Sequence, residues 1–440
     1  MKHIKAFLLI LNKPSLGGRL FAGWLFLLMS FHVQAEPLLS MNDAITLATQ
    51  NQPLLQSLDD AATASREAAV AEGQLPDPKL KFGVLNLPVT TGDALHFDRD
   101  DQTAVNIGIA QDVIPLQRRE AAANRMQAEA EQFHTEQTAT ARSIQRDVAL
   151  AWLDVFEAQR KTELYQRLAD EMTAEHKVAI ARVSSGGSQA LDVLRLDTQL
   201  AMTNDKRLTA VRDEHKARAA LTRWIGVAAS QPLPDQLPDV AAQIVGAADS
   251  KQTESSQVEQ HPMLQNARQA EKVALSDVES AKALHERNWS WELGYGKRFA
   301  NRSDMLTFQV AIDLQLDRAN RQDRRTAEKL VLVEKARKMT ADRQRELAAE
   351  LDSAKADWQA AEAREAEHQQ RLIPIAAAQL SVVQAGYASG KQPLADVWEA
   401  RRGVLEVEMD HWGIQTDRQR AAVKMAYLLS DNTLFAGSQP

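Results

Sequence analysis

The chain has 440 residues and no cysteine, which excludes disulfides, thiol catalysis and thiolate metal sites. Hydrophobic residues make up 44%, charged residues 25% and aromatics only 5%, a composition that suits long thin helices better than a bulky core. A formal charge of −7 argues against nucleic acid as a partner.

The chain begins with Lys2, Lys5, Lys13 and Arg19, then an apolar run from Leu20 to Phe31, then Val33-Gln-Ala35. That order predicts a bacterial secretory signal peptide over 1–35, cut after Ala35. The apolar run is shorter than the ~17–25 residues of a membrane-spanning helix. Cleavage removes those four basic residues and leaves a more acidic mature chain.

Ser40-Met-Asn-Asp43 reads as a helix cap, and a second helix runs from Pro53 to about Glu72. Gly73 and Pro76-Asp-Pro78 stop it. Alternating stretches near 80–87 and 104–114 predict a first β-hairpin. Arg118 to Val183 contains neither Gly nor Pro and predicts one helix of about 100 Å, at ~1.5 Å per residue. Within it Ile144, Val148, Ala151, Val155 and Ala158 keep the 4,3 spacing of packed helices. A glycine turn follows over 184–191, and a shorter helix returns over 191–225.

A Pro-, Ser- and Gln-rich linker over 227–260 separates this first repeat, 36–226, from a second over 261–430. His261-Pro262-Met-Leu264 echoes Gln52-Pro53-Leu-Leu55. The second hairpin covers about 289–316. Trp289, Trp291, Leu293 and Tyr295 alternate with Ser290, Glu292, Gly294 and Gly296, as Leu306 to Leu316 alternate with Thr307 to Gln315. A long helix then runs over 321–387 with Leu347, Leu351, Ala354, Trp358 and Ala361 in the same 4,3 spacing, kinked at Pro374. A turn over 388–394, a returning helix to about 429 and a tail over 431–440 complete the chain.

The two turns carry one motif twice: Val183-Ser-Ser-Gly186-Gly187-Ser-Gln-Ala-Leu-Asp192-Val193 and Tyr387-Ala-Ser-Gly390-Lys391-Gln392-Pro-Leu-Ala-Asp396-Val397. Recurrence at nearly half the chain length marks a duplicated unit. The strands alternate over ~10–12 residues, the span of a tilted transmembrane strand, and carry Trp and Tyr near an end. Four strands close no useful barrel, and lipid forbids open strand edges, so copies must share strands. Two, three or four copies satisfy that arithmetic. A soluble periplasmic coiled-coil scaffold with an ordinary small sheet is the alternative.

With its export signal, duplicated helix–hairpin–long helix–turn–helix unit and paired Gly-x5-Asp-Val turns, the chain resembles the TolC-type outer-membrane efflux factors. Leu75-Pro-Asp-Pro-Lys-Leu80 is similar to the CzcC-like branch associated with heavy-metal efflux. The resemblance implies a mainly α fold with a small transmembrane β part, assembled as a homotrimer. Its 12-stranded barrel would sit in outer-membrane lipid above a helical periplasmic tunnel. It further implies a membrane-fusion adaptor and an inner-membrane pump of RND type as partners, no enzymatic activity and no cofactor. Gly186, Gly187 and Gly390 become adaptor-contact tips. Asp192, Tyr387, Lys391, Gln392 and Asp396 become the periplasmic gate, with Tyr387 bonded to Asp192. Gln392 stands where the family often has arginine, and neighbouring Lys391 is the substitute cation. Glu292 and Asp313 face the polar side of the strands and could attract cations. The acidic loop Asp93, Asp98, Asp100, Asp101 is expected outside the cell.

Overall fold

The computed structural model describes residues 38–50, 52–184, 190–240 and 257–429, and the Asp192 side chain falls outside that description. The expected signal peptide, Gly186, Gly187, the tail and much of the linker therefore lie outside the described residues. Helix α1 spans Met41–Gln50 and α2 spans Pro53–Glu72. Ser40 begins α1 as a reciprocal cap: its Oγ accepts from the Asp43 N–H at 3.1 Å and donates to the Asp43 carboxylate at 2.6 Å.

Strands β1 (Lys79–Leu85) and β2 (Ala104–Val113) lead into helix α3, Leu116–Ser184, unbroken for 69 residues. Helix α4, Ala190–Ile225, returns along it. The second repeat has the same order. Helix α5 (Pro262–Ala283), β3 (Trp289–Arg298) and β4 (Met305–Ile312) precede α6 (Gln322–Glu367). A wide turn, His368–Leu372, joins α6 to α7 (Ile373–Ala388), and α8 (Leu394–Leu428) returns. Helices α2 and α4 pack along α3, while α5 and α8 pack along α6, so each repeat is a long rod against two shorter ones.

The expected kink at Pro374 takes a specific form. Proline lacks an N–H and crowds the carbonyl four residues back. Just before it the chain widens, with the Ile373 N–H bonding to His368 O five residues earlier.

The four strands form one antiparallel sheet in the order β1-β2-β3-β4, joining the two hairpins along β2 and β3. The edge strands are shorter than the sequence predicts: 7 residues in β1 and 8 in β4, against 10 in each central strand. Regular pairing ends where no neighbour remains. Ile312 is the last residue of β4 paired to β3, so Leu314 and Leu316 lie beyond the strand.

The main core lies where the rods meet. Ile144, Val148, Trp152, Val155 and Phe156 of α3 pack with Leu347 and Leu351 of α6 and Val423, Ala426 and Tyr427 of α8. Trp152 stacks on Phe156 at 5.7 Å and donates its indole N–H to Leu39 O at 3.0 Å. The described ends of the linker dock here. Leu233, Val240 and Val258 are buried in the core, and the Val240 N–H donates to Gln419 at 3.0 Å. Arg420 of α8 ties to Asp154 at 2.6 Å and Glu157 at 2.7 Å on α3. Burial alone would raise the Glu157 carboxyl, but Lys161 and Arg420 hold it below the ordinary range.

His261 caps α5. Its Nδ1 accepts from the Met263 N–H at 3.2 Å, and its ring meets Tyr427 edge-on at 4.8 Å, fully buried. Burial pushes its pKa down to about 4, with nearby Arg142, Arg146 and Arg343 acting the same way. The folded chain thus keeps His261 neutral while the unfolded chain protonates it near 6.5. Stability must fall as pH drops from 6.5 toward 4, because only the unfolded state takes up that proton. His261→Asn keeps a capping side chain and should flatten this dependence. Guanidinium unfolding should show wild type losing about 3 kcal/mol more than the variant between pH 7 and 4. Parallel pH curves would dismiss the histidine as the cause.

Candidate functional site

The second turn is built by its backbone. Gly390 has φ +72, a left-handed conformation that glycine adopts without strain. Its N–H donates to Tyr387 O at 3.0 Å, and the Lys391 N–H reaches back to Gly386 O at 2.9 Å. Those two bonds satisfy carbonyls that the end of α7 would otherwise leave open. Pro393 is extended and starts α8, and half-buried Asp396 lies in its first turn, where the helix dipole favours an anion. Gln392 folds back over Gly386, where a methyl group would collide with its amide. Among the described residues the amide oxygen of Gln392 is enclosed without a hydrogen-bond partner.

The turn is tied to the first repeat by an arginine. Arg182, in the last turn of α3, donates to the Tyr387 hydroxyl, and its guanidinium lies 5.4 Å from the Tyr387 ring centroid. A second tie runs from Arg401 of α8 to Glu175 at 2.8 Å and Glu171 at 3.4 Å, both on α3. Burial foremost, helped by the Glu171 charge, pushes the Glu175 carboxyl up, while Arg401 pulls it down. His176 and Asp197, 2.6 Å apart, join α3 to α4. A cavity of about 250 Å³ lies among Glu175, Arg182, Tyr387, Leu394 and Arg401. Beside it, Leu164, Leu168 and Met172 of α3 pack with Leu196 of α4 and Trp398 and Leu405 of α8.

Among the described residues of the predicted gate, Tyr387 bonds across to the first repeat, through Arg182. The Asp192 side chain lies outside the described residues, as do Gly186 and Gly187. Lys391 is exposed, and among the described residues neither it nor Asp396 makes a side-chain bond. The sequence missed Arg182, although a cation one turn before a glycine turn is a readable signal. Arg401 and Glu175 leave none, being far apart in the chain.

The sheet has two unlike faces. Leu80, Ile109, Leu293 and Phe308 align across the four strands, as do Phe82, Ile107, Tyr295 and Leu306, and all eight are exposed. The opposite face carries Gly83, Gly108, Gly294 and Gly296. A Cβ on Gly108 would lie 2.9 Å from Leu293 O and 3.1 Å from Gly294 Cα, so that face is tight between the central strands, while Gly83 on the edge strand meets open space. Small residues on one face and large ones on the open face are the signature of a sheet curling toward the small side. Glu292, expected on the polar side of its strand as a candidate to attract cations, is paired there with Lys81, and Asp112 with Lys79 at 2.6 Å. Asp313 is exposed past the end of β4. At the far end Arg302 gathers the acidic loop, bonding the carbonyls of Asp98 and Asp100 and the carboxylate of Asp101.

Among the described residues no group of three or more His, Asp or Glu side chains could hold a metal ion. No described helix is long and apolar enough to cross a membrane.

No protein-family model and no curated protein sequence matches the chain. Solved structures do. The CmeC outer membrane channel of Campylobacter jejuni superposes with a TM-score of 0.72 at 9% identity, covering 91% of this chain and 90% of that one. CusC, described as forming a transmembrane channel, gives 0.72 at 14% identity, over 90% of this chain and 93% of its own. The outer membrane protein VceC of Vibrio cholerae gives 0.69 at 16% identity, over 88% and 95%. At these identities the likeness is one of fold: over nearly its whole described length, this chain is built like the outer-membrane channel proteins.

Proposed function

We propose that the chain is the outer-membrane channel of a tripartite efflux system, conducting cargo passively from the periplasm to the exterior. The observation that carries this reading is the sheet. Its apolar face is open on all four strands, its other face is small and polar, and among the described residues both edges, β1 and β4, lack partners. Water disfavours such a face and lipid disfavours such edges, so burial in a bilayer as a closed ring satisfies both. Successive strands alternate in direction, so β4 of one copy meets β1 of the next antiparallel. Three copies give a 12-stranded barrel, and the fold shared with outer-membrane channels supports that assembly.

In this reading the helical rods form a periplasmic tunnel, and the turns at its end meet a membrane-fusion adaptor coupled to an inner-membrane pump of RND type. Gly390 shapes the tip, with Gly186 and Gly187 as its counterparts. The gate is the group Asp192, Tyr387, Lys391, Gln392 and Asp396, to which Arg182 adds a second cation beside Tyr387. A heavy-metal cargo rests on the Leu75–Leu80 resemblance; Glu292 is paired with Lys81, which leaves exposed Asp313 as the acid there that would favour it.

Fractionation tests the reading directly. The protein should stay with outer membranes through salt and carbonate washes and leave only in detergent. Release by salt would instead support a soluble scaffold. Tyr387→Phe and Asp192→Ala should each raise single-channel conductance in planar bilayers, because each loosens the closed tip. Conductance equal to wild type in both would remove these residues from the gate.

A further inference from the structure

The two ion pairs on the small-residue face of the sheet share a location. Lys79 opens β1, Asp112 is the second-last residue of β2, and Glu292 is the fourth of β3, so all lie at the helical end of the strands. Strands sit about 5 Å apart, which puts β1 and β3 roughly 10 Å from each other. Lys81 crosses that gap to reach Glu292. It can do so because its direct neighbour on β2 is Gly108, followed along the same face by Ala110. A larger side chain at either position would block the path.

These pairs neutralise both carboxylates present in the four strands, Asp112 and Glu292. They are not buried staples. Lys81 keeps 49% and Glu292 26% of side-chain exposure, and pairs this wet stabilise a fold by only ~0–1 kcal/mol. Their main physical effect is on the field in the space they face.

Given the channel reading, on which this inference rests, the geometry points to a charge-balanced collar. The Lys81–Glu292 and Lys79–Asp112 pairs of every copy ring the passage where helical tunnel becomes barrel, and they set its ion selectivity. Charged rings select ions at constrictions, and fixed charges act over about 10 Å at 0.1 M salt. Balanced pairs leave the strands themselves with no net charge from these four residues, so the wall they form favours neither sign of cargo. Breaking one pair leaves one uncompensated charge per subunit facing the lumen.

The experiment is reversal-potential measurement in planar bilayers under a KCl gradient, with purified full-length protein. Glu292→Gln should raise the chloride-over-potassium permeability ratio severalfold, and Lys81→Gln should lower it severalfold. The exchange Lys81→Glu with Glu292→Lys should return the wild-type ratio. If wild type conducts and all three variants share its ratio, the collar does not govern selectivity. If both single variants fail to assemble while the exchange conducts with wild-type selectivity, the pair is a structural strap and the inference falls. If wild type forms no conducting pore at all, the channel reading fails first.

Discussion

Phe308→Arg should empty the membrane of this protein. Phe308 stands on the open sheet face with 66% exposure, paired to Leu293 across β3. A guanidinium at mid-bilayer depth on a barrel wall costs about 2–4 kcal/mol, and every copy in the ring carries it. Assembly in lipid should therefore fall by well over an order of magnitude, read as loss of detergent-extracted oligomer and of export. The neighbouring change Thr307→Arg places the same charge on the opposite face and should insert far better. The contrast is diagnostic because Phe308 is already exposed. In a soluble scaffold its replacement would shift stability by no more than about 0.5 kcal/mol. Equal amounts of wild type and Phe308→Arg in washed outer membranes would defeat the barrel assignment.

Gly390→Pro should abolish export while oligomers still form. Proline fixes φ near −65°, opposite to the +72 of this position, and removes the N–H that bonds Tyr387 O. Both losses fall on the bonds that close the end of α7, at a local cost of roughly 3 kcal/mol or more. Gly390→Asn tolerates the left-handed conformation and should retain most activity. The same proline at Gly186 is expected to act alike on motif grounds. Drug or metal sensitivity of a complemented deletion strain reads export, and native gels read assembly. Normal resistance with the proline in place would mean the turn is not the working tip.

Much of this architecture is legible in the sequence because it rests on local physics. The Gly- and Pro-free run ending at Val183 can do little but form a helix. The 4,3 rows at Ile144–Val155 and Leu347–Ala361 mark the faces that are buried. Gly390 declares its turn because few other residues accept that φ. Legibility ends where partners are distant. Arg182 and Tyr387, Arg401 and Glu175, and Lys81 and Glu292 meet only because packing brings the two repeats together. No periodicity encodes such pairs. The linker misleads for a related reason: its prolines suggest a loose connector, whereas Leu233, Val240 and Val258 bury its described ends in the core. Strand ends also elude pattern reading, since Leu314 and Leu316 continue the alternation past the last hydrogen-bonded partner.

The open β1 and β4 edges have one more consequence. Each protomer contributes an even count of strands in alternating directions, so dimers, trimers and tetramers would all zip shut without a mismatched seam. The sheet cannot count. In the channel proposed above, stoichiometry is dictated lower down, by the angle at which neighbouring rods lean on each other, and mutations that change the number of subunits should be sought among helix-surface residues.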